Sequence, residues 1–168
     1  MRVLVAYYSE TGNTAKIAQA LFDGLTAKEK ELKEINDVLS VDGFDLIFCG
    51  FPVMEHSVPI KMQDFLKKIP AGAKIALFST HGSFTDGLKS TTAFENAAVL
   101  ASAAKLLGTI GCRGKVKQAV LDTLEKKPEH KSWVEEAFSA SSHPNESDLQ
   151  DAANFGNVIL KKAKAEPT

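Results

Sequence analysis

Val3-Leu4-Val5-Ala6-Tyr7-Tyr8, followed at once by Ser9-Glu10-Thr11-Gly12-Asn13-Thr14, decides the fold of this 168-residue chain. The first run is short, continuous and apolar. A strand buried on both faces reads this way, and such strands belong to parallel sheets. The second run is a polar hinge. Beyond it Ile17, Ala18, Leu21, Phe22 and Leu25 recur at spacings of three and four, the stripe of an amphipathic helix.

Working outward, the same alternation returns. Residues 45–50 hold a second apolar strand, and residues 74–79 (KIALFS) a third. Residues 31–35 predict a short edge strand, whose Glu31, Lys33 and Glu34 suit an exposed sheet margin. Ser57 and Pro59 are expected to open a helix as N-cap and first-turn residue. Its inner face is Met62, Phe65, Leu66 and Ile69, and Pro70 ends it. Residues 92–107 predict a long alanine-rich helix closed by Gly108, and residues 109–117 the last strand. Residues 116–145 are the least regular, with short helices expected around Val120-Leu121-Leu124 and Trp133-Val134-Ala137-Phe138. Ser147-Asp148-Leu149-Gln150 matches a capping box. It starts a final helix to about residue 164 that buries Leu149, Ala152, Ala153, Ile159 and Leu160; residues 161–168 are expected to fray. Strands alternating with helices imply crossovers and an α/β fold, a parallel sheet covered on both faces. One domain over residues 1–168 is expected, with an irregular segment at about 113–146.

Composition narrows the function. Hydrophobic residues make up 44%, and 20 basic against 21 acidic residues leave a net charge of -1. That balance argues against nucleic acid or an anionic membrane as partner. No apolar run approaches the roughly 18 residues of a bilayer span. Residues 1–9 are too short for a signal peptide, so a soluble cytoplasmic protein is expected. Cys49 and Cys112 lack metal-ligand spacing, and Cys49, inside an apolar run, reads as a small core residue. The four histidines form no metal grouping, and His130 and His143 read as surface residues.

Ligands of parallel sheets bind at the carboxyl ends of the strands, which selects the loops at residues 9–14, 51–57 and 80–87. In the first, backbone N–H groups at the helix start lack partners and the helix dipole favours an anion. Gly12 permits a tight turn. Ser9, Thr11 and Thr14 offer hydroxyls and Asn13 an amide. Ser9, Glu10, Thr11, Gly12, Asn13 and Thr14 are therefore the expected phosphate-side residues. The loop contains no Lys or Arg, and neither G-x-x-x-x-G-K-[ST] nor G-x-G-x-x-G follows the first strand. A neutral cradle suits one terminal phosphate. An ordinary N-cap would explain one polar residue, not five of six.

Tyr8-Ser9-Glu10-Thr11-Gly12-Asn13-Thr14-Ala15 resembles the first loop of the flavodoxin family, [ST]-x-T-G-x-T. The resemblance runs to about Cys112 and resumes at the last helix. It implies a flavodoxin-like three-layer sandwich, a five-stranded parallel sheet in order 2-1-3-4-5, with FMN at the strand ends. It places the isoalloxazine between the other two loops. Pro52, Val53 and Met54 would cover one face. Thr80, His81, Gly82, Ser83 and Phe84 would line the other, Phe84 stacking or forming the rim, with N–H groups near Gly82 and Ser83 meeting the flavin carbonyl edge. His81 has two readings: a group beside the flavin pyrimidine ring, or a loop histidine in solvent. Glu55 and Asp86 would oppose negative charge on the flavin. Electron carriers of the family usually present Trp or Tyr from both loops and are strongly acidic. Here Trp133 stands outside both loops in sequence, and the net charge is -1.

The function implied is FMN-dependent electron transfer between a partner reductase or redox enzyme and an acceptor. The alternative is an FMN-dependent NAD(P)H:quinone-type oxidoreductase, which His81-Gly82 favours and which would complete its site as a homodimer. A flavin-free interaction module is the third reading, and the intact first loop argues against it. Residues 113–146 exceed a plain connection. Trp133, Val134 and Phe138 read as one apolar face packed on the body, with a partner-docking flap or dimer contact as the alternative.

Overall fold

Val3, Leu4, Val5 and Ala6 are all fully buried, as a strand covered on both faces requires. They belong to β1 (Arg2–Tyr7), an inner strand of a computed structural model that describes residues 1–83 and 88–165, without the side chains of 88–90. The order continues with α1 (Asn13–Gly24), β2 (Glu29–Glu34), β3 (Leu46–Pro52), α2 (Ile60–Leu66), β4 (Lys74–His81), α3 (Leu88–Leu100) and β5 (Lys105–Arg113). Then come α4 (Gln118–Glu125), α5 (Lys131–Phe138) and α6 (Glu146–Ala165). The strands pair in parallel, in the order β2-β1-β3-β4-β5. The expected α/β sandwich is therefore the fold observed.

Side chains alternate across each strand and feed two cores. Val3, Val5, Phe48 and Phe78 pack against Ile17 and Leu21 of α1 and Ile159 and Leu160 of α6. Leu4, Ala6, Ile47 and Leu77 pack against Met62 and Phe65 of α2 and Ala93 and Ala97 of α3. At the back of the first layer α1 meets α6 closely: a Cβ on Gly24 would stand 2.5 Å from that of Ala153. Asn157 spans the same junction, its Nδ2 donating to the Gly24 carbonyl at 2.7 Å and its Oδ1 accepting from Thr26 N–H at 3.1 Å.

β2 is the charged edge expected, starting two residues earlier, because Ile35 turns inward in a 3-10 turn and is buried. Lys33 and then Arg2 bond the Glu31 carboxylate, at 2.7 and 2.6 Å, and hold its pKa below the usual range. Both cysteines lie in the cores, where burial pushes each thiol up to about 12; at Cys112, Asp148 and Asp151 add to the effect.

Several boundaries differ from expectation. The helix predicted over 92–107 stops at Leu100, and residues 105–107 open β5 instead of closing a helix. Lys105 N–H bonds the Ala73 carbonyl at 2.8 Å, so pairing beside β4 overrides alanine-rich helix propensity. Gly108 is thus a strand residue, and the strand expected over 109–117 ends at Arg113. Pro59, not Ser57, precedes the first turn of α2. The cap of α6 is Asn145: its Oδ1 accepts from Asp148 N–H at 3.2 Å, and Asp148 Oδ2 accepts from Asn145 N–H at 2.7 Å. That is a capping box two residues before Ser147. The helix continues to Ala165, and Lys162 Nζ bonds the Leu107 carbonyl at 3.2 Å, so the predicted fraying of 161–165 does not occur. No described helix is long and apolar enough to cross a membrane.

Candidate functional site

β1, β3 and β4 end on the same side of the sheet, and the loops leaving them converge there. The first loop turns on Gly12, the N-cap of α1, at φ 89°. That left-handed conformation is open to glycine at little cost. A Cβ on Gly12 would meet nothing within 4 Å, so the space above the turn is open. Ser9 Oγ accepts from the N–H groups of Gly12, at 3.2 Å, and Ala15, at 3.3 Å. An oxygen thus already sits among the loop's amides, and the first-turn N–H groups have no intrahelical carbonyl to bond. This donor set fits a phosphate oxygen without any cation in the loop.

Thr14 points the other way. Its hydroxyl is buried and shares a hydrogen bond with the buried hydroxyl of Thr80 at 2.8 Å. Thr80 also accepts from Val53 N–H at 2.8 Å through its carbonyl, which ties the second loop to the third. Asn13 is committed as well: its Nδ2 donates to the Lys115 carbonyl at 2.9 Å. Glu10 Oε2 pairs with Lys117 Nζ at 3.2 Å, so a cation reaches the rim of the first loop from beyond β5. No local motif announced it.

In the second loop Pro52 and Val53 are half-buried and Met54 is exposed. Met54 and Ser57 exchange backbone hydrogen bonds of 3.0 and 2.8 Å around Glu55 and His56, which have φ of 49° and 65°. Two-residue hairpins of this shape normally carry Asn-Gly. A Glu-His pair there stores backbone strain at the mouth of the site.

The third loop departs most from expectation. His81 is neither in solvent nor in the mouth. It is buried at the end of β4, with Nδ1 2.9 Å from the Ser83 carbonyl. A carbonyl only accepts, so Nδ1 carries the proton. Ser83 is buried too. Gly82 leaves room for the α4–α5 segment: a Cβ there would stand 2.4 Å from Val116 Cγ2 and 3.7 Å from Trp133 Cζ2. Trp133, distant in sequence, donates through Nε1 to Ser83 Oγ at 3.2 Å. Arg113 donates to the Ser83 carbonyl at 3.2 Å, the Glu136 carbonyl at 2.9 Å and Ser139 Oγ at 2.7 Å. Residues 113–146 are therefore built onto the third loop. Val134 is buried in this packing, whereas Phe138 remains exposed. His143, expected at the surface, is half-buried and bonds Asp148 at 2.6 Å. Phe84, Thr85, Asp86 and Gly87 lie outside the described residues.

Proteins of the same fold are known. The flavodoxin-like domain-containing protein BilS of Clostridioides difficile is 27% identical over 97% of this chain and 98% of its own length. A WrbA-like flavodoxin of Agrobacterium tumefaciens has the same fold, with a TM-score of 0.66, 17% identity and 99% of each chain covered. A Lactobacillus acidophilus flavoprotein, solved in complex with FMN, superposes with a TM-score of 0.54 at 19% identity, over 66% of this chain and 92% of that one. The sequence profile of the flavodoxin domain matches residues 4–157, nearly the whole of the sheet and its helices. The chain belongs to the flavodoxin domain family.

Proposed function

We propose that this chain binds FMN non-covalently at the carboxyl ends of β1, β3 and β4 and passes electrons between a partner reductase or redox enzyme and an acceptor. The observation that carries the reading is the Ser9–Gly12 turn, where amide protons converge on one oxygen at the start of α1. Family membership and the FMN complex of a protein of the same fold support it.

When bound, FMN supplies the storage and release of electrons. The chain supplies the setting. Amides and hydroxyls of Ser9, Glu10, Thr11, Gly12, Asn13 and Thr14 surround the phosphate, with Asn13 and Thr14 contributing chiefly through their backbone because their side chains are engaged elsewhere. Pro52, Val53 and Met54 cover one side of the ring. The backbone of Gly82 and Ser83 would offer the other, with Thr80 and His81 buried behind it. His81 acts by fixing the loop, since its Nδ1 proton is spent on the Ser83 carbonyl.

Titration of the apoprotein with FMN, read by quenching of flavin fluorescence, tests binding. NADPH and a quinone added anaerobically to the loaded protein test the reaction. A carrier stays oxidised until a separate reductase is supplied. Rapid bleaching and turnover without one would replace this reading by the oxidoreductase.

A further inference from the structure

We propose that Arg113 is a positioning residue of the flavin site, turning the Gly82–Ser83 peptide so that the Ser83 N–H is presented to the carbonyl edge of the ring. The inference rests on the FMN reading above.

Arg113 is the last residue of β5. Its Nε bonds the Ser83 carbonyl at 3.2 Å, and its Nη2 lies 3.5 Å from the Gly82 carbonyl. On its other side Nη2 bonds the Glu136 carbonyl at 2.9 Å and Ser139 Oγ at 2.7 Å. One planar guanidinium therefore joins the third loop to the end of α5, where the negative end of the helix dipole favours a cation. A peptide unit is planar and trans, so its C=O and N–H point in opposite directions. The Gly82 carbonyl faces Arg113, so the Ser83 N–H points away from it, and the Nε bond to the Ser83 carbonyl holds the loop in that orientation. Trp133, bonded to Ser83 Oγ, and Val116, packed where a Gly82 side chain would be, keep the same peptide from rotating. A lysine could not serve these acceptors together, because its charge is a point and not a fork.

The test compares wild type, R113A and R113K as full-length apoproteins. Wild type should bind FMN. R113A should bind it roughly tenfold to a hundredfold more weakly, with a more negative midpoint potential and an altered visible circular dichroism of the flavin. Affinity for inorganic phosphate, measured by competition, should not change. R113K should resemble R113A. FMN affinity, potential and spectrum all at wild-type values in R113A would overturn the inference while leaving the FMN reading intact, as would full rescue by R113K. Failure of wild type to bind FMN would remove both. Should R113A not fold, W133F decides: it keeps an aromatic ring but loses the bond to Ser83. The same changes in smaller measure support the inference, and wild-type values of all three overturn it.

Discussion

The hydroxyls of Thr14 and Thr80 lie 2.8 Å apart, both buried, one on the first turn of α1 and the other near the end of β4. This bond ties the first loop to the third. Removing one partner strands the other away from water, at a cost of about 1–3 kcal/mol. T14V and T80V should each lose stability in that range. The double variant should lose less than either single variant, because no polar group is then left unpaired. Urea unfolding of the three apoproteins measures this, and additive losses would contradict it.

Gly12 is held at φ 89° with open space where a side chain would project. The cost of G12A is then conformational and not steric, on the order of 1–2 kcal/mol for an L-residue in the left-handed region. Any relaxation of that strain rotates the amides of the turn. FMN affinity should fall in G12A, while riboflavin, which has no phosphate, should bind G12A as it binds wild type. Parallel fluorescence titrations with the two ligands separate these cases.

The hairpin at Glu55-His56 runs through positive φ at both residues. Replacing them with Asn-Gly relieves the strain without changing the path of the chain. E55N/H56G should raise apoprotein stability by about 1–2 kcal/mol. An unchanged or lower unfolding midpoint would show that the turn is not strained.

Cys49 and Cys112 are buried, and burial raises both thiols to about 12. The sign follows from proton linkage. The folded state keeps both protons between pH 9 and about 12, whereas the unfolded chain loses them. Stability is fully present below pH 9 and falls as pH rises through that window, by up to about 1.4 kcal/mol per unit for each thiol. C49A/C112A should show a flatter decline than wild type over pH 9 to 11. Near pH 8 neither thiol should react with a disulfide reagent until denaturant is added.

Much of this architecture was legible in the sequence, and the exceptions have physical causes. β1, β3 and β4 read clearly because strands buried on both faces leave unbroken apolar runs. β5 did not, since Lys105, Leu106 and Leu107 continue an alanine-rich run and no Gly or Pro marks the break after Leu100. Only the neighbouring β4 decides the state of that stretch. The first ligand loop was recognisable as strand, turn and helix start. Arg113 and Lys117 were invisible, and Trp133, read as packing on the body, could not be assigned to the third loop, because tertiary packing brings it there from far along the chain: it is 50 residues from the Ser83 it bonds. The corrected caps share one cause. Ser147 and Ser57 both have good capping chemistry, but Asn145 and Pro59 stand where the chain enters the helix.

The meeting of Gly24 with Ala153 sets the aim of α1. Twelve residues of helix form a lever of about 18 Å from that contact to the opening turn. A tilt of about five degrees at the far end would swing the near end by roughly 1.5 Å over such a length, half a hydrogen bond. A side chain added at Gly24, remote from any ligand, is therefore a way to detune the grip on an anion at the opposite end of the same helix.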